Sequence, residues 1–167
     1  MIKHSTIDYV KFDEIDPEEL IPLLNRQKLR AHLIDHALFD RAMVESWIAG
    51  KNATDATCGC KVRAVLVNAQ LAGWCGIQFE EGNYEMAIVL DERQWGVGIR
   101  IFQDMLLWAK GFNHKTVVIH LLHTRPDYKF LRKLATNVYQ TKLHGSRFTT
   151  YEIDVNKCCR KFTALCQ

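Results

Sequence analysis

The chain has 167 residues, enough for one hydrophobic core, and 48% of them are apolar while 25% are charged. This composition excludes a disordered chain, and no stretch approaches the roughly 20 apolar residues of a membrane-spanning helix. The net charge of +3 favours no partner by itself, and the lack of a basic stripe argues against nucleic acid. Because the first residues carry no apolar signal segment, we expect a cytoplasmic protein whose six cysteines are free thiols.

The first part of the chain predicts one strand and two helices. Residues 7–12 have the pattern of a strand. Asp16, Pro17 and Glu19 provide an N-cap, a proline at the first helical position and an acidic third position, which predicts a helix over residues 17–34. A second helix is predicted over residues 39–49, with Gly50 as its glycine C-cap.

Three strand-like runs follow in quick succession, at residues 61–67, 71–79 and 84–90. Only short turns separate them, Asn68-Ala69-Gln70 and Glu81-Gly82-Asn83. Turns of this length and composition are typical of antiparallel hairpins. We therefore expect a meander of three antiparallel strands.

The second half alternates between helices and strands. A helix is predicted over residues 99–110, ended by Gly111, then a strand over 115–122, a helix over 127–137 and strands over 139–143 and 148–155. The strand–helix–strand crossover in the middle requires one parallel pair. The sum is a single α+β, three-layer domain over residues 1–167 with a core at about 7–155. The basic segment 156–167, with its cysteines, is expected to form a solvated tail or a last packed turn.

One motif stands out between a predicted strand and a predicted helix: RQWGVGIR, residues 93–100. Backbone N–H groups at the start of a helix suit a phosphate, although the glycines would equally serve a simple turn. The dinucleotide pattern GxGxxG fails because Ile101 occupies the place of the third glycine, and GxxxxGK[ST] occurs nowhere. The pattern [Q/R]xxGxG/A is satisfied by residues 93–98.

The stretch YEMAIVLDERQWGVGIR, the amphipathic helix after it and the strand KTVVIHLLHTRP together resemble the acyl-CoA-binding core of the GNAT superfamily of N-acetyltransferases. The branch that acetylates ribosomal-protein N-termini and polyamines is the most similar. The order of elements from residue 7 to residue 155 also matches, so the resemblance covers most of the chain. It implies a mixed, mostly antiparallel central sheet of about seven strands flanked by about four helices.

The resemblance implies acetyl-CoA as the cofactor and assigns its binding residues. In that family the pantetheine arm runs along the strand before the motif, which here offers the backbone of Ile88, Val89 and Leu90. The pyrophosphate lies on the loop amides, which here belong to Trp95, Gly96, Val97, Gly98, Ile99 and Arg100. Arg93 and Gln94, which open the motif, belong to the same predicted cofactor-binding set. The motif aligns at residues 93–98 or 95–100, and both registers use nearly the same amides. The two arginine side chains would contact phosphate or remain solvated.

A base helps transfer to an amine, because an alkylamine is almost fully protonated at neutral pH. Glu85 lies eight residues before Arg93, where many relatives carry a glutamate that acts through water. The alternative is a hairpin carboxylate that faces solvent. His123, at the exit of a strand, is a second candidate base, or a hydrogen-bonded structural histidine.

The family's general acid is missing from its usual place. The asparagine that touches pantetheine and the tyrosine that protonates the thiolate correspond here to Arg125 and Arg132. Tyr128, one helical turn before Arg132, is the candidate substitute, and Arg125 is the candidate pantetheine contact. This departure motivates an alternative function, a non-catalytic acyl-CoA-binding or regulatory module.

His32, His36 and Phe39 occupy the segment that covers the acceptor site in the family, and we expect them to shape an acceptor pocket. No zinc spacing links the HxxxH pair to Cys58 and Cys60, so no metal is predicted. The acceptor is left open: a small amine such as a polyamine or an aminoglycoside, a protein N-terminus or lysine, or an aminoacyl-tRNA, against which the composition argues mildly. An uncovered sheet edge makes a homodimer plausible.

Overall fold

A single seven-stranded sheet forms the centre of the protein in the computed structural model, which describes residues 4–27 and 37–165. The strands are β1 (Ile7–Val10), β2 (Lys61–Val67), β3 (Gln70–Glu80), β4 (Asn83–Leu90), β5 (Thr116–Leu122), β6 (Asn137–Leu143) and β7 (Ser146–Asp154). Their order across the sheet is β1-β2-β3-β4-β5-β7-β6. Every neighbouring pair is antiparallel except β4 and β5, which are parallel. The mixed, mostly antiparallel sheet is confirmed.

The described residues contain five α-helices, one more than expected. They are α1 (Pro17–Leu24), α2 (Arg41–Asp55), α3 (Gly98–Gly111), α4 (Lys129–Leu134) and α5 (Val155–Leu165), with 3-10 turns at Phe12–Glu14 and Glu92–Val97. The additional helix is α5, which occupies most of the segment expected to be a tail. It packs because Cys158 and Cys159 are buried against the sheet and α3.

The two faces of the sheet carry separate cores. Helices α3 and α5 cover one face, where Ile77, Ile101 and Met105 are fully buried. Helices α1 and α2 cover the other face over the first strands, where Leu20 and Val44 are fully buried. Because side chains of a strand alternate between faces, each strand of the meander contributes to both cores.

Several predicted boundaries move for identifiable reasons. Gly50 is not a C-cap, because α2 continues to Asp55, whose carboxylate accepts from the Val62 amide at 2.8 Å and so ties the helix end to β2. The first strand ends at Val10, and α1 ends at Leu24, well before the predicted residue 34. The predicted helix 127–137 is reduced to α4, since residues 137–143 pair with β7 instead.

Both predicted hairpin turns are confirmed by their backbone. Asn68 and Ala69 have φ of 51° and 64°, and Glu81 and Gly82 have φ of 50° and 79°. Two successive residues with positive φ are the mark of the turn that matches the twist of a two-stranded ribbon. These turns set the register that brings Gln78 directly opposite Glu85.

Candidate active site

The parallel strands β4 and β5 diverge and leave a cavity between them. Among the described residues, β4 and β5 pair only at Glu85 and Val118, near the start of β4. Beyond that point a cavity of about 320 Å³ opens. Its walls are mostly apolar side chains of β4, α3, β5 and the α4 region: Met86, Ile88, Val89, Leu90, Trp95, Gly98, Ile99, Phe102, Ile119, Leu121, Arg125, Tyr128, Phe130 and Leu131.

The glycines of the motif lie where this cavity meets the N-terminus of α3. Neither Gly96 nor Gly98 has a positive φ. A Cβ atom at Gly96 would meet nothing within 4 Å, and one at Gly98 only the Leu90 Cδ1 atom at 3.9 Å. Neither backbone conformation nor internal packing therefore requires glycine here. What the two glycines provide is bare backbone at the start of a 14-residue helix, which suits the close approach of an anion.

A buried carboxylate holds this turn in place. Asp91 is only 2% exposed, accepts from the Arg93 amide at 3.1 Å and forms ion pairs with Arg93, at 2.8 Å, and with Arg26. The Arg93 hydrogen bonds, above all, hold the pKa of Asp91 below its usual range. The sequence analysis missed this residue, although an aspartate that directly precedes a turn and helix is a common N-cap.

The two arginines of the motif are engaged within the protein. The Arg93 guanidinium pairs with Asp91, and Arg100 donates to the Ser5 carbonyl at 2.8 Å. The Trp95 indole donates to the Leu90 carbonyl at 3.1 Å and so closes the end of β4 over the turn. The side chains of Arg93, Trp95 and Arg100 are thus each hydrogen-bonded within the protein.

Arg125 and Tyr128 provide the polar side chains of an otherwise apolar cavity. The Arg125 Nη2 group donates to the Tyr128 hydroxyl at 2.9 Å. The Arg125 Nε atom is buried without a hydrogen-bond partner among the described residues, which is costly unless a ligand supplies an acceptor. Arg132, at the family's tyrosine position, instead pairs with Asp127 at 2.9 Å and does not line the cavity.

Glu85 lies on the opposite side of β4 from Met86, facing the α1–α2 side of the sheet. The side chain is half-buried rather than fully solvated. Burial above all, with the neighbouring Glu80 carboxylate, raises the pKa of Glu85 to about 7, against the opposing charges of Lys51 and His144. A carboxyl poised near neutral pH is suited to accept a proton.

The structure separates the two histidines of β5. His120 lies on the Glu85 face of the sheet, and its Nδ1 atom hydrogen-bonds to the Thr150 hydroxyl at 2.7 Å. His123 is exposed in the turn after β5, donates from Nδ1 to the Arg147 carbonyl at 3.0 Å, and does not line the cavity. His120 is therefore the better placed of the two relative to Glu85.

Of the three predicted acceptor-side residues, only Phe39 can be located. It is half-buried against the core under α1 and α2, and its backbone is fixed by two hydrogen bonds to the Asn25 side chain at 2.8 and 2.9 Å. His32 and His36 lie outside the described residues. None of the helices within residues 4–27 and 37–165 is long and apolar enough to cross a membrane.

Comparison with solved structures shows that the protein has the fold of the GNAT-family acetyltransferases. RimL, the ribosomal-protein alpha-N-acetyltransferase, in complex with coenzyme A, is 16% identical with a TM-score of 0.71, over 91% of this chain and 96% of that one. The spermidine N-acetyltransferase of Vibrio cholerae, in complex with coenzyme A and spermine, is 12% identical with a TM-score of 0.68, over 92% and 97%.

A putative GNAT-family acetyltransferase from Bordetella pertussis is likewise 12% identical with a TM-score of 0.68, over 88% of this chain and 94% of that one. No family model and no curated protein matches the sequence. The similarity thus lies in the fold.

Proposed function

We propose that this protein is an acetyl-CoA-dependent N-acetyltransferase that acetylates a primary amine of a small molecule or a protein. One observation carries the proposal: where strands β4 and β5 diverge, a cavity, an open glycine turn and a half-buried carboxyl of raised pKa lie along β4. The cavity with the turn suits an elongated ligand with a phosphate end. Glu85, on the other face of β4, suits the deprotonation of an amine.

The residues present fit coenzyme A. The backbone of Ile88, Val89 and Leu90 lies on the side of β4 that has parted from β5, and would hold the pantetheine arm. The backbone of the turn would hold the pyrophosphate. The orphaned Arg125 Nε donor offers a hydrogen bond to an oxygen of such a ligand. The amides of Arg93 and Gln94 already donate to the side chain and the carbonyl of Asp91, so these two predicted contacts are set aside. The proposed binding set consists of Ile88, Val89, Leu90, Trp95, Gly96, Val97, Gly98, Ile99, Arg100 and Arg125.

When bound, acetyl-CoA supplies an activated thioester carbonyl, so direct transfer to an amine requires no covalent enzyme intermediate. Glu85 would take one proton from the acceptor's ammonium group, directly or through water, which leaves a nucleophilic amine. The Tyr128 hydroxyl, held by Arg125, lines the cavity and would return a proton to the leaving sulfur. His123 has the weaker geometric support as a base, since its ring is exposed and bonded to a carbonyl.

The acceptor would enter from the α1–α2 side, where Phe39 packs and where His32 and His36 are expected. RimL is a ribosomal-protein acetyltransferase, and the Vibrio cholerae enzyme is a spermidine acetyltransferase, so both protein and small-molecule amines suit this fold. A cytoplasmic location and a homodimer stay predictions from the sequence.

The first test is the thermal midpoint with and without acetyl-CoA. At about a hundred times its dissociation constant, a ligand adds roughly 2.7 kcal/mol to the stability of the native state, a shift of several degrees. Gly98→Asp should abolish the shift, because a carboxylate at the start of α3 repels phosphate while the open site accommodates the side chain. Gly111→Asp, which places the same charge at the far end of the helix, should keep the shift.

The second test is thiol release from acetyl-CoA with a panel of amines. Turnover with at least one amine that falls at least tenfold in Glu85→Gln supports the enzyme. A rise in the thermal midpoint with acetyl-CoA, without thiol release and unchanged in Glu85→Gln, would favour the non-catalytic acyl-CoA-binding module. That alternative is motivated by the arginines that replace the family's asparagine and tyrosine at positions 125 and 132. No shift in the wild type would reject both functions.

A further inference from the structure

Lys51 of α2 lies in a half-buried position that a lysine seldom occupies. Its ammonium group is 4.0 Å from the centre of the Trp74 ring and 5.4 Å from that of Trp47. It also donates to the Gln78 Oε1 atom at 2.6 Å. The lysine is thus held in one place by two aromatic rings and one amide, although burial lowers its pKa to about 8.

This arrangement places the ammonium beside Glu85. Gln78 is directly opposite Glu85 in the β3–β4 register, and residues opposite each other in an antiparallel pair have adjacent side chains on the same face. Lys51 is therefore bonded to the immediate neighbour of the candidate base. The charges of Lys51, Glu80 and Glu85 influence one another, which agrees with this proximity.

Three other titratable groups act on this region from the surrounding elements. Glu80 of β3 disfavours a second negative charge on Glu85. His144, in the turn after β6, pairs with Glu80 at 2.8 Å, but its side chain is 56% exposed and so is screened by water. His120 of β5 interacts with Glu80, and burial lowers its pKa, which keeps the ring neutral. Lys51 is left as the half-buried cation of the group.

We infer that Lys51 is a positioning residue that raises the ionised fraction of Glu85 at neutral pH, the form that is able to act as the base. This inference rests on the proposed function. Burial and Glu80 both favour the protonated carboxyl, and a protonated carboxyl cannot accept the proton of an ammonium group. The positive charge of Lys51 opposes them and favours the ionised carboxylate. The two tryptophans hold its charge there at a lower cost than an apolar wall would.

The test compares Lys51→Met with the wild type. The readout is the protonation of Glu85, followed by ¹³C NMR of labelled glutamate carboxyls and assigned with Glu85→Gln. Loss of Lys51 should raise the pH at which Glu85 titrates by about one unit. In the active enzyme, the acidic limb of kcat/KM should move upward by the same amount. Lys51→Arg, which retains the positive charge, should show little of either shift.

Lys61→Met is the matched control. The Lys61 ammonium lies 4.3 Å from the centre of the Trp108 ring, so the variant loses the same kind of cation–π contact. The charge of Lys61, however, interacts with Arg63, Asp55 and Cys75 rather than with Glu85. The control should leave the titration of Glu85 unchanged. An unchanged titration in Lys51→Met as well would overturn the inference. A shifted titration with no change in the pH profile of turnover would instead show that Glu85 is not the base, and would count against the proposed mechanism.

Discussion

Glu85 illustrates how far a single side chain depends on its surroundings. An isolated glutamate titrates at about 4.5, and in this protein the pKa is raised to about 7. The folded protein therefore holds this proton more tightly than the unfolded chain does. The carboxyl favours the folded state fully below pH 4.5, and that advantage is lost as the pH rises through about 7.

We predict that Glu85→Gln flattens part of the pH dependence of stability. The wild type should lose on the order of 2 kcal/mol of unfolding free energy between about pH 4.5 and 8 through this group, and the variant should lose correspondingly less. Urea unfolding at three pH values measures the difference. Glu81→Gln, which removes an exposed hairpin carboxylate, is the control. Equal slopes in the wild type and Glu85→Gln would contradict the raised pKa.

At the scale of elements, two glycines near the end of β4 differ in whether the structure has room for a side chain. A Cβ atom at Gly73 of β3 would lie 2.0 Å from the Val89 carbonyl oxygen, so a side chain there cannot coexist with the present path of β4. At Gly98 the same atom has open space. Gly73 is thus needed by the sheet, whereas Gly98 is available for a ligand.

Gly73→Ala should destabilise the protein by about 1–3 kcal/mol, as for overpacked cores, and should displace the strand that lines the cavity. Gly98→Ala should leave the unfolding free energy within about 0.5 kcal/mol or raise it, because alanine is the better helix former. Chemical unfolding of both variants tests the pair. A destabilised Gly98→Ala would mean that the turn itself needs this glycine.

At the scale of the molecule, α5 completes the core and supports the cavity from behind. Phe162 of this helix packs with its ring centre 6.2 Å from those of both Phe102 and Phe130. The latter two line the cavity. Helix α5 is therefore part of the packed structure rather than a solvated extension.

Phe162→Ala should cost about 2 kcal/mol of stability, less than a fully buried phenylalanine would, because the ring is half-buried. Acetyl-CoA binding should weaken with it, since two walls of the cavity lose their support. Arg160→Ala on the exposed side of the same helix is the control and should stay within about 0.5 kcal/mol. Thermal unfolding with and without acetyl-CoA measures both effects. Full stability in Phe162→Ala would contradict the supporting role of α5.

The sequence by itself determined the local elements and the motif. The alternating runs of the meander, the hairpin turns, the crossover and the glycine pair at the start of α3 are properties of neighbouring residues, and all are present. Boundaries that depend on distant partners were wrong: the continuation of α2 past Gly50 depends on Asp55 and β2, and α5 depends on a core that it helps to build.

Only the tertiary structure decided the electrostatics of the site. Lys51, Gln78 and Glu85 belong to three different elements, and no local pattern indicates that α2 brings an ammonium group to the carboxyl of β4. The same holds for Asp91, which binds Arg26 from the segment after α1. The physical reason is that burial and Coulomb energy depend on distances in space, which are set only when the helices pack on the sheet.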